Sequence, residues 1–355
     1  MDYTRKQSFL ALPLTLGSLA AAILLSVQTV ARAYTEENSP LRLAADKAGF
    51  LLGTAVEDDL VGRDTQYEEV VGREYNIVTT ENAFKFRWTE PEKGKFSFKR
   101  AEKVVSLAEK NGQKVRGHTL IWHLSLPSWL SEGNFTKEEI SSIFNDHIDN
   151  VVGGFKGRIY AWDVVNEVVD DDGKLRNSIW RKNLGDEYIA RAFERARAAD
   201  PDAKLFLNEN SIETWNDKAK ATYDLIKSLK AKGVPIDGIG FQTHVDKSFE
   251  SKVSEFKEVM QRFASLGLEI NITEMDVDVG DNPKEADFLT QARIYSKVLD
   301  SCLSINTCKA LVVWGANDKN SWLRDDSGRK AYPLLLNDDY NPKPAYNDII
   351  RRLQK

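Results

Sequence analysis

IYAWDVVNE (159–167) and LEINITEMD (268–276) are the two stretches on which the fold of this chain turns. Each is a short, nearly continuous apolar run that gives way to polar residues at its end. Each places a glutamate there, Glu167 and Glu274. Such runs suit strands covered on both faces, as in a parallel sheet flanked by helices, and not strands with one wet face.

Six more runs share the pattern: FLLGTAV (50–56), NIVTTEN (76–82), KVRGHTLIW (114–122), KLFLNEN (204–210), IDGIGFQTH (236–244) and ALVVWGAND (310–318). Amphipathic helical stretches separate them. FSFKRAEKVVSLAEKNG repeats apolar residues at three- and four-residue spacing and stops at Gly112, and SKVSEFKEVMQRFASLG stops at Gly267. Strand and helix alternating eight times predict an α/β fold, a (β/α)8 barrel closed on itself, in one catalytic domain over 34–355. An open doubly wound sheet is the alternative. It usually carries a Gly-rich phosphate turn after the first strand, which GTAVEDD lacks.

The chain has 355 residues and a formal net charge of −5, so no electrostatic argument favours a nucleic-acid partner. Arg5 and Lys6, an apolar stretch from about Phe9 to Val30, and Ala31-Arg32-Ala33 read as a secretory signal peptide over 1–33. The mature protein is expected to be secreted or periplasmic, without stable membrane association once the signal is cleaved. An uncleaved anchor is the alternative, opposed by Pro13 and the small-x-small site. Export permits disulfides, and the only two cysteines are Cys302 and Cys308. Any intramolecular bridge joins these two, between a helix end and the strand that follows; two free buried thiols are the other reading.

In such barrels the site lies at the C-terminal strand ends. There this sequence collects Glu81, Asn82 and Lys85; His118, Trp122 and His123; Asn166 and Glu167; Gln242 and His244; Glu274 and Asp276; Trp314 and Asp318, with Trp322 just beyond. Paired carboxylates at a strand mouth suit glycosidic cleavage, one as acid towards the departing oxygen, the other beneath the ring. Each residue also has a structural reading: Glu167 as a helix-start acid, His244 as a core histidine, Lys85 as a surface cation, the tryptophans as core. Glu274 and Asp276, two apart, share a strand face, and their like charges require an organiser such as His244. A metal site is disfavoured, because His118 and His123 are five apart on an extended segment and face opposite sides.

Taken together, these residues resemble glycoside hydrolase family 10, the endo-β-1,4-xylanases. The resemblance covers about residues 45–350 and rests on blocks in order. These are Thr80-Glu81-Asn82 with Lys85, Gly117-His118-Thr119-Leu120 through Trp122-His123, and Trp162 through Glu167. Gly238-Ile239-Gly240 with Gln242 and His244, Ile272 through Asp276, Trp314-Gly315 with Asp318, Ser321 and Trp322, and Pro342 through Tyr346 follow. It implies a cofactor-free enzyme acting on xylan or xylo-oligosaccharides, expected as a monomer. Glu167 would be the acid/base and Glu274 the nucleophile of a retaining double displacement. Asn166 would bind the sugar 2-hydroxyl, and His244 with Asp276 would steady Glu274. Glu81, Asn82, Lys85, His118, Trp122 and Gln242 would line the glycone side, with Trp314 and Trp322 enclosing the ring and a hexose CH2OH crowded out near Trp322. The cysteine pair resembles the family's frequent disulfide. Ser125 stands where the family often has Gln, Asn210 where it usually has Tyr, and Phe86 where Trp is common. These departures imply altered subsite preference, not lost activity. Another retaining β-1,4-glycanase, endoglucanase-like, and an inactive glycan-binding barrel are the rival readings.

Overall fold

The computed structural model describes residues 40–324 and 328–355; the signal read over 1–33, and the first residues of the 34–355 domain, lie outside the described residues. Nine strands form one parallel sheet. They are β1 (Leu51–Val56), β2 (Ile77–Thr80), β3 (Lys114–Gly117), β4 (Ala161–Asn166), β5 (Lys204–Glu209), β6 (Gly238–Phe241), β7 (His244–Asp246), β8 (Glu269–Asp278) and β9 (Cys308–Val313). β1 to β6 pair in sequence order, β6 pairs with β8, and β9 pairs with both β8 and β1. This closes the expected eight-stranded barrel, and β7 lies outside the ring against the C-terminal part of β8.

The apolar faces of the helices pack onto the outer side of the barrel. Lys137–Gly154 buries Ile140, Phe144, Ile148 and Val151, and Thr136 begins it with a capping box closed by Glu139. Inside, part of the axis is polar. Arg116 donates to Asn271 Oδ1 at 3.0 Å, pairs with Asp163, and lies 4.4 Å above the centre of the Phe206 ring. Both charges of that pair are almost wholly buried, an arrangement whose loss on one side leaves an uncompensated charge.

Most strands stop short of their apolar runs, and two of these breaks bear on the site. The run 114–122 leaves the sheet after Gly117, and its continuation follows β4, with Leu120 and Ile121 donating backbone bonds to Asp163 and Val164. Gly117 is required because a Cβ there would overlap the Trp162 ring. The run 236–244 breaks at Gln242 and at Thr243, which takes a left-handed φ of 63°, and resumes as β7. Cys302 and Cys308 are bridged, tying the helix Glu285–Leu303 to the start of β9.

Candidate active site

Two register shifts aim the central residues. Between Asp163 and Val165 the β4–β5 pairing slips by one, and between Ile272 and Met275 the β8–β9 pairing does the same. An unbroken strand turns residues three apart to opposite faces. With the extra residue in place, Asp163 and Asn166 both reach the interior, as do Asn271 and Glu274.

Glu274 is 4% exposed and held from several sides. Asn208 donates to its Oε1 at 2.7 Å, His244 Nε2 stands 3.2 Å from its Oε2, and His118 Nδ1 lies 3.7 Å from Oε1. Burial opposes its charge, but His118 and the hydrogen bond and charge of His244 outweigh it and keep Glu274 below the ordinary carboxylate range. His244 is pushed the other way. Burial disfavours its imidazolium, yet Asp276, 2.9 Å from Nδ1, and Glu274 hold its pKa well above the ordinary histidine value. Glu274, His244 and Asp276 thus form a carboxylate–imidazolium–carboxylate line. Trp322 extends it, its indole donating to Asp276 Oδ2 at 2.7 Å.

Glu167 follows β4 directly, with a left-handed φ of 55°. Its Oε1 accepts from Gln242 Nε2 and its Oε2 from Trp122 Nε1, each at 3.0 Å. Gln242 also reaches Asn166 Oδ1 at 3.3 Å, and Asn208 bonds the same atom at 2.9 Å. A chain of amides therefore runs from Glu167 through Gln242, Asn166 and Asn208 to Glu274. The Asn166 amide nitrogen is buried and has no protein partner, which leaves a donor free for a ligand.

The remaining expected residues border the same place. Lys85 donates to Asn82 at 2.9 Å and sits 5.3 Å from the centre of the Trp122 ring. Burial and the nearby Glu57 charge push Glu81 up to about 7. Trp314 is buried edge-on against His118, ring centres 5.3 Å apart. Beyond His244, Asp276 and the half-exposed Trp322, a groove runs past Ser211, Asn216 and Ser248. His123 lines a small hollow that it shares with Asn166, Glu167, Arg176 and Tyr188, and its buried Nδ1 has no protein partner there. Among the described residues no cluster of three His, Cys, Asp or Glu side chains is arranged to hold a metal ion.

Three central residues carry no role in the sequence reading. Asn208 bridges Asn166 and Glu274 while accepting from Thr273 Oγ1 at 2.7 Å. Arg116 and Asp163 support His118, whose Nδ1 is 3.0 Å from Asp163. The signal for all three was a polar or charged residue inside an apolar strand run. Gly240 leaves the space that Asn208 fills, since a Cβ there would strike its carbonyl oxygen. At the positions that depart from the resembled pattern, Asn210 is held by Lys218, Phe86 stacks on His147 with ring centres 3.6 Å apart, and Ser125 takes φ 53°.

The model of glycosyl hydrolase family 10 matches residues 40–352. Endo-1,4-beta-xylanase B of Thermotoga neapolitana is 41% identical over 343 residues, covering 95% of this chain and 98% of that protein. Endo-1,4-beta-xylanase 1 of Humicola insolens is 37% identical over 316 residues, covering 88% and 74%. Among solved structures, xylanase 10B from Thermotoga petrophila RKU-1 in complex with xylobiose superposes with a TM-score of 0.86 at 44% identity, covering 88% of this chain and 97% of that one.

Proposed function

The chain belongs to glycosyl hydrolase family 10 and is a glycoside hydrolase, and from there we propose that it is a secreted endo-1,4-β-xylanase in which Glu274 is the nucleophile and Glu167 the acid/base of a retaining double displacement. One observation carries the division of labour: the two glutamates have unlike surroundings. Glu274 is kept ionised by an imidazolium and a buried amide, as an attacking carboxylate must be. The carboxyl of Glu167 meets neutral amide and indole N–H groups.

In the first step Glu274 attacks the anomeric carbon while Glu167 passes its proton to the departing glycosidic oxygen. A glycosyl ester and a shortened chain result. In the second step Glu167 removes a proton from water, the water oxygen displaces Glu274, and the sugar leaves with its original anomeric configuration. The Asn166 amide, with no protein partner, is the donor that would bond the sugar 2-hydroxyl, a bond that strengthens in the transition state.

Secretion rests on the 1–33 reading and on the Cys302–Cys308 bridge, which suits an oxidising compartment. Amino-terminal sequencing of exported protein should begin after Ala33. For the chemistry, a 2-fluoro xylobiosyl reagent should label Glu274, and the first sugar product should be the β-anomer. Labelling of another carboxylate overturns the nucleophile, and α-product overturns retention. The endoglucanase-like reading is met by parallel assays on xylan and a soluble cellulose derivative, where preference for the glucan decides against xylan.

A further inference from the structure

Glu167 occupies left-handed backbone at φ 55°, a conformation that non-glycine residues adopt only where surroundings enforce it. Its side chain departs from that backbone, so the aim of the carboxyl depends on whatever holds the conformation. Two bonds act on the peptide itself. Glu167 N donates to Asn208 O at 2.9 Å, and Arg176 Nε donates to Glu167 O at 2.9 Å.

Arg176 is itself fixed. Its Nη1 pairs with Asp170 at 2.6 Å and its Nη2 reaches Val169 O at 3.4 Å, while its backbone N donates to Val168 O at 2.8 Å. Residues 168–176 form a small hairpin, joined by a Val169–Leu175 bridge and an Asp170 N to Lys174 O bond of 2.7 Å. The hairpin's base is anchored by Glu209, which accepts from Val169 N at 3.1 Å and pairs with buried Lys218 at 3.1 Å. Neither Arg176 nor Asp170 bonds Glu274, whose contacts come from Asn208 of β5, His244 of β7 and His118 after β3.

We propose that Arg176 is a positioning residue for the acid/base, holding Glu167 in its left-handed conformation so that its carboxyl stays against Gln242 and Trp122. Arg176 therefore governs proton transfer and not nucleophilic attack. This rests on the assignment of Glu167 as acid/base.

The test compares Arg176→Ala and Arg176→Lys with Glu167→Ala, using phenyl xylobioside, whose leaving group needs a proton, and 2,4-dinitrophenyl xylobioside, whose leaving group does not. The Arg176 variants are expected to lose about 10- to 100-fold in kcat/KM on the phenyl substrate, the scale of a misaimed general acid. On the dinitrophenyl substrate kcat/KM is expected to stay near the parent value. Azide should raise turnover of the latter and give the β-glycosyl azide, because the anion needs no base. Equal losses on both substrates, no loss on either, or no response to azide overturns the role of Arg176. If Arg176→Ala gives no cooperative melt, Arg176→Lys and Asp170→Asn decide, each expected to show the same pattern at smaller size. If Glu167→Ala itself lacks the pattern, the acid/base assignment fails; if it has the pattern and the Arg176 and Asp170 variants do not, only the positioning role fails.

Discussion

The Nε2 atom of His244 stands 3.2 Å from Oε2 of Glu274, while its Nδ1 stands 2.9 Å from Asp276 on the same face of β8. One imidazolium thus offsets two carboxylates whose spacing would otherwise set like charges side by side. The pKa of His244 is raised, so its contribution to stability is fully present below about 6.5, the unfolded value, and is lost as pH rises through the higher folded value.

His244→Asn should therefore lower kcat about 10- to 100-fold, the cost of losing a hydrogen bond to a charged group. It should also lower stability at pH 6, with the gap to the parent shrinking in the alkaline range. Thermal melts from pH 5 to 10 beside steady-state kinetics measure both. A pH-independent gap contradicts a charged His244.

Among the described residues, Asn208 is the one side chain that bonds both Asn166, proposed above to bind the sugar 2-hydroxyl, and Glu274. Asn208→Asp replaces a donor with a third carboxylate beside Glu274 at nearly constant volume. A loss of roughly 100-fold or more in kcat is expected, with a larger effect on trapping by a 2-fluoro reagent than on inhibitor binding away from the cleavage point. Unchanged trapping kinetics would remove Asn208 from the nucleophile's support.

Asn208 also shows where sequence reading stops. Glu167, Glu274, His244 and Asp276 were legible because they end apolar runs, and the two-residue period puts Glu274 and Asp276 on one face. That period does not report the extra residues in β4 and β8 that turn Asn166 and Glu274 inward. Nor does it report the left-handed Thr243, which separates Gln242, aimed at Glu167, from His244, aimed at Glu274. Arg116 and Asp163 interrupt apolar strands, but only the β3–β4 register makes them partners. The (β/α)8 fold was legible because it depends on coarse alternation; the polar centre was partly hidden because it depends on single-residue shifts.

The Cys302–Cys308 bridge closes a short loop remote from the strand ends that carry the carboxylates. Replacing both cysteines by serine should cost about 2 kcal/mol of stability in the chain-entropy picture, leaving kcat on xylan unchanged. A differential scan with and without reductant checks the first part, and a fall in kcat without a fall in Tm contradicts the second.

Glu81, pushed up to about 7 by burial and Glu57, holds a proton in the folded state over a range where the unfolded chain has released it. A raised carboxyl contributes stability that is present below about 4.5 and declines as pH rises to about 7. Relative to Glu81→Gln, the parent should therefore lose on the order of 1–2 kcal/mol across that window, less than the full shift because the residue is partly exposed. Melts of both proteins at pH 4.5, 6 and 7.5 measure it; a gap that stays constant assigns the titration elsewhere.

Trp322 does two things that separate variants can part. Its indole N–H bonds Asp276, the far end of the line that keeps Glu274 charged, and its half-exposed ring lies 5.0 Å from the His244 ring at the edge of the groove. Trp322→Phe removes the N–H and keeps most of the ring. It should lower kcat on xylobiosides modestly, about 3- to 10-fold for one hydrogen bond to a charged group, without changing the preference for xylose over glucose. Trp322→Ala removes the ring as well, opening room for a sugar C5 hydroxymethyl group. Its ratio of kcat/KM on aryl xylobiosides to that on aryl cellobiosides should fall by about 10-fold, the scale on which a pocket excludes one small group. A ratio unchanged in Trp322→Ala moves the source of xylose preference to another wall of the cleft, and a ratio already shifted in Trp322→Phe places it in the hydrogen bond and not the ring.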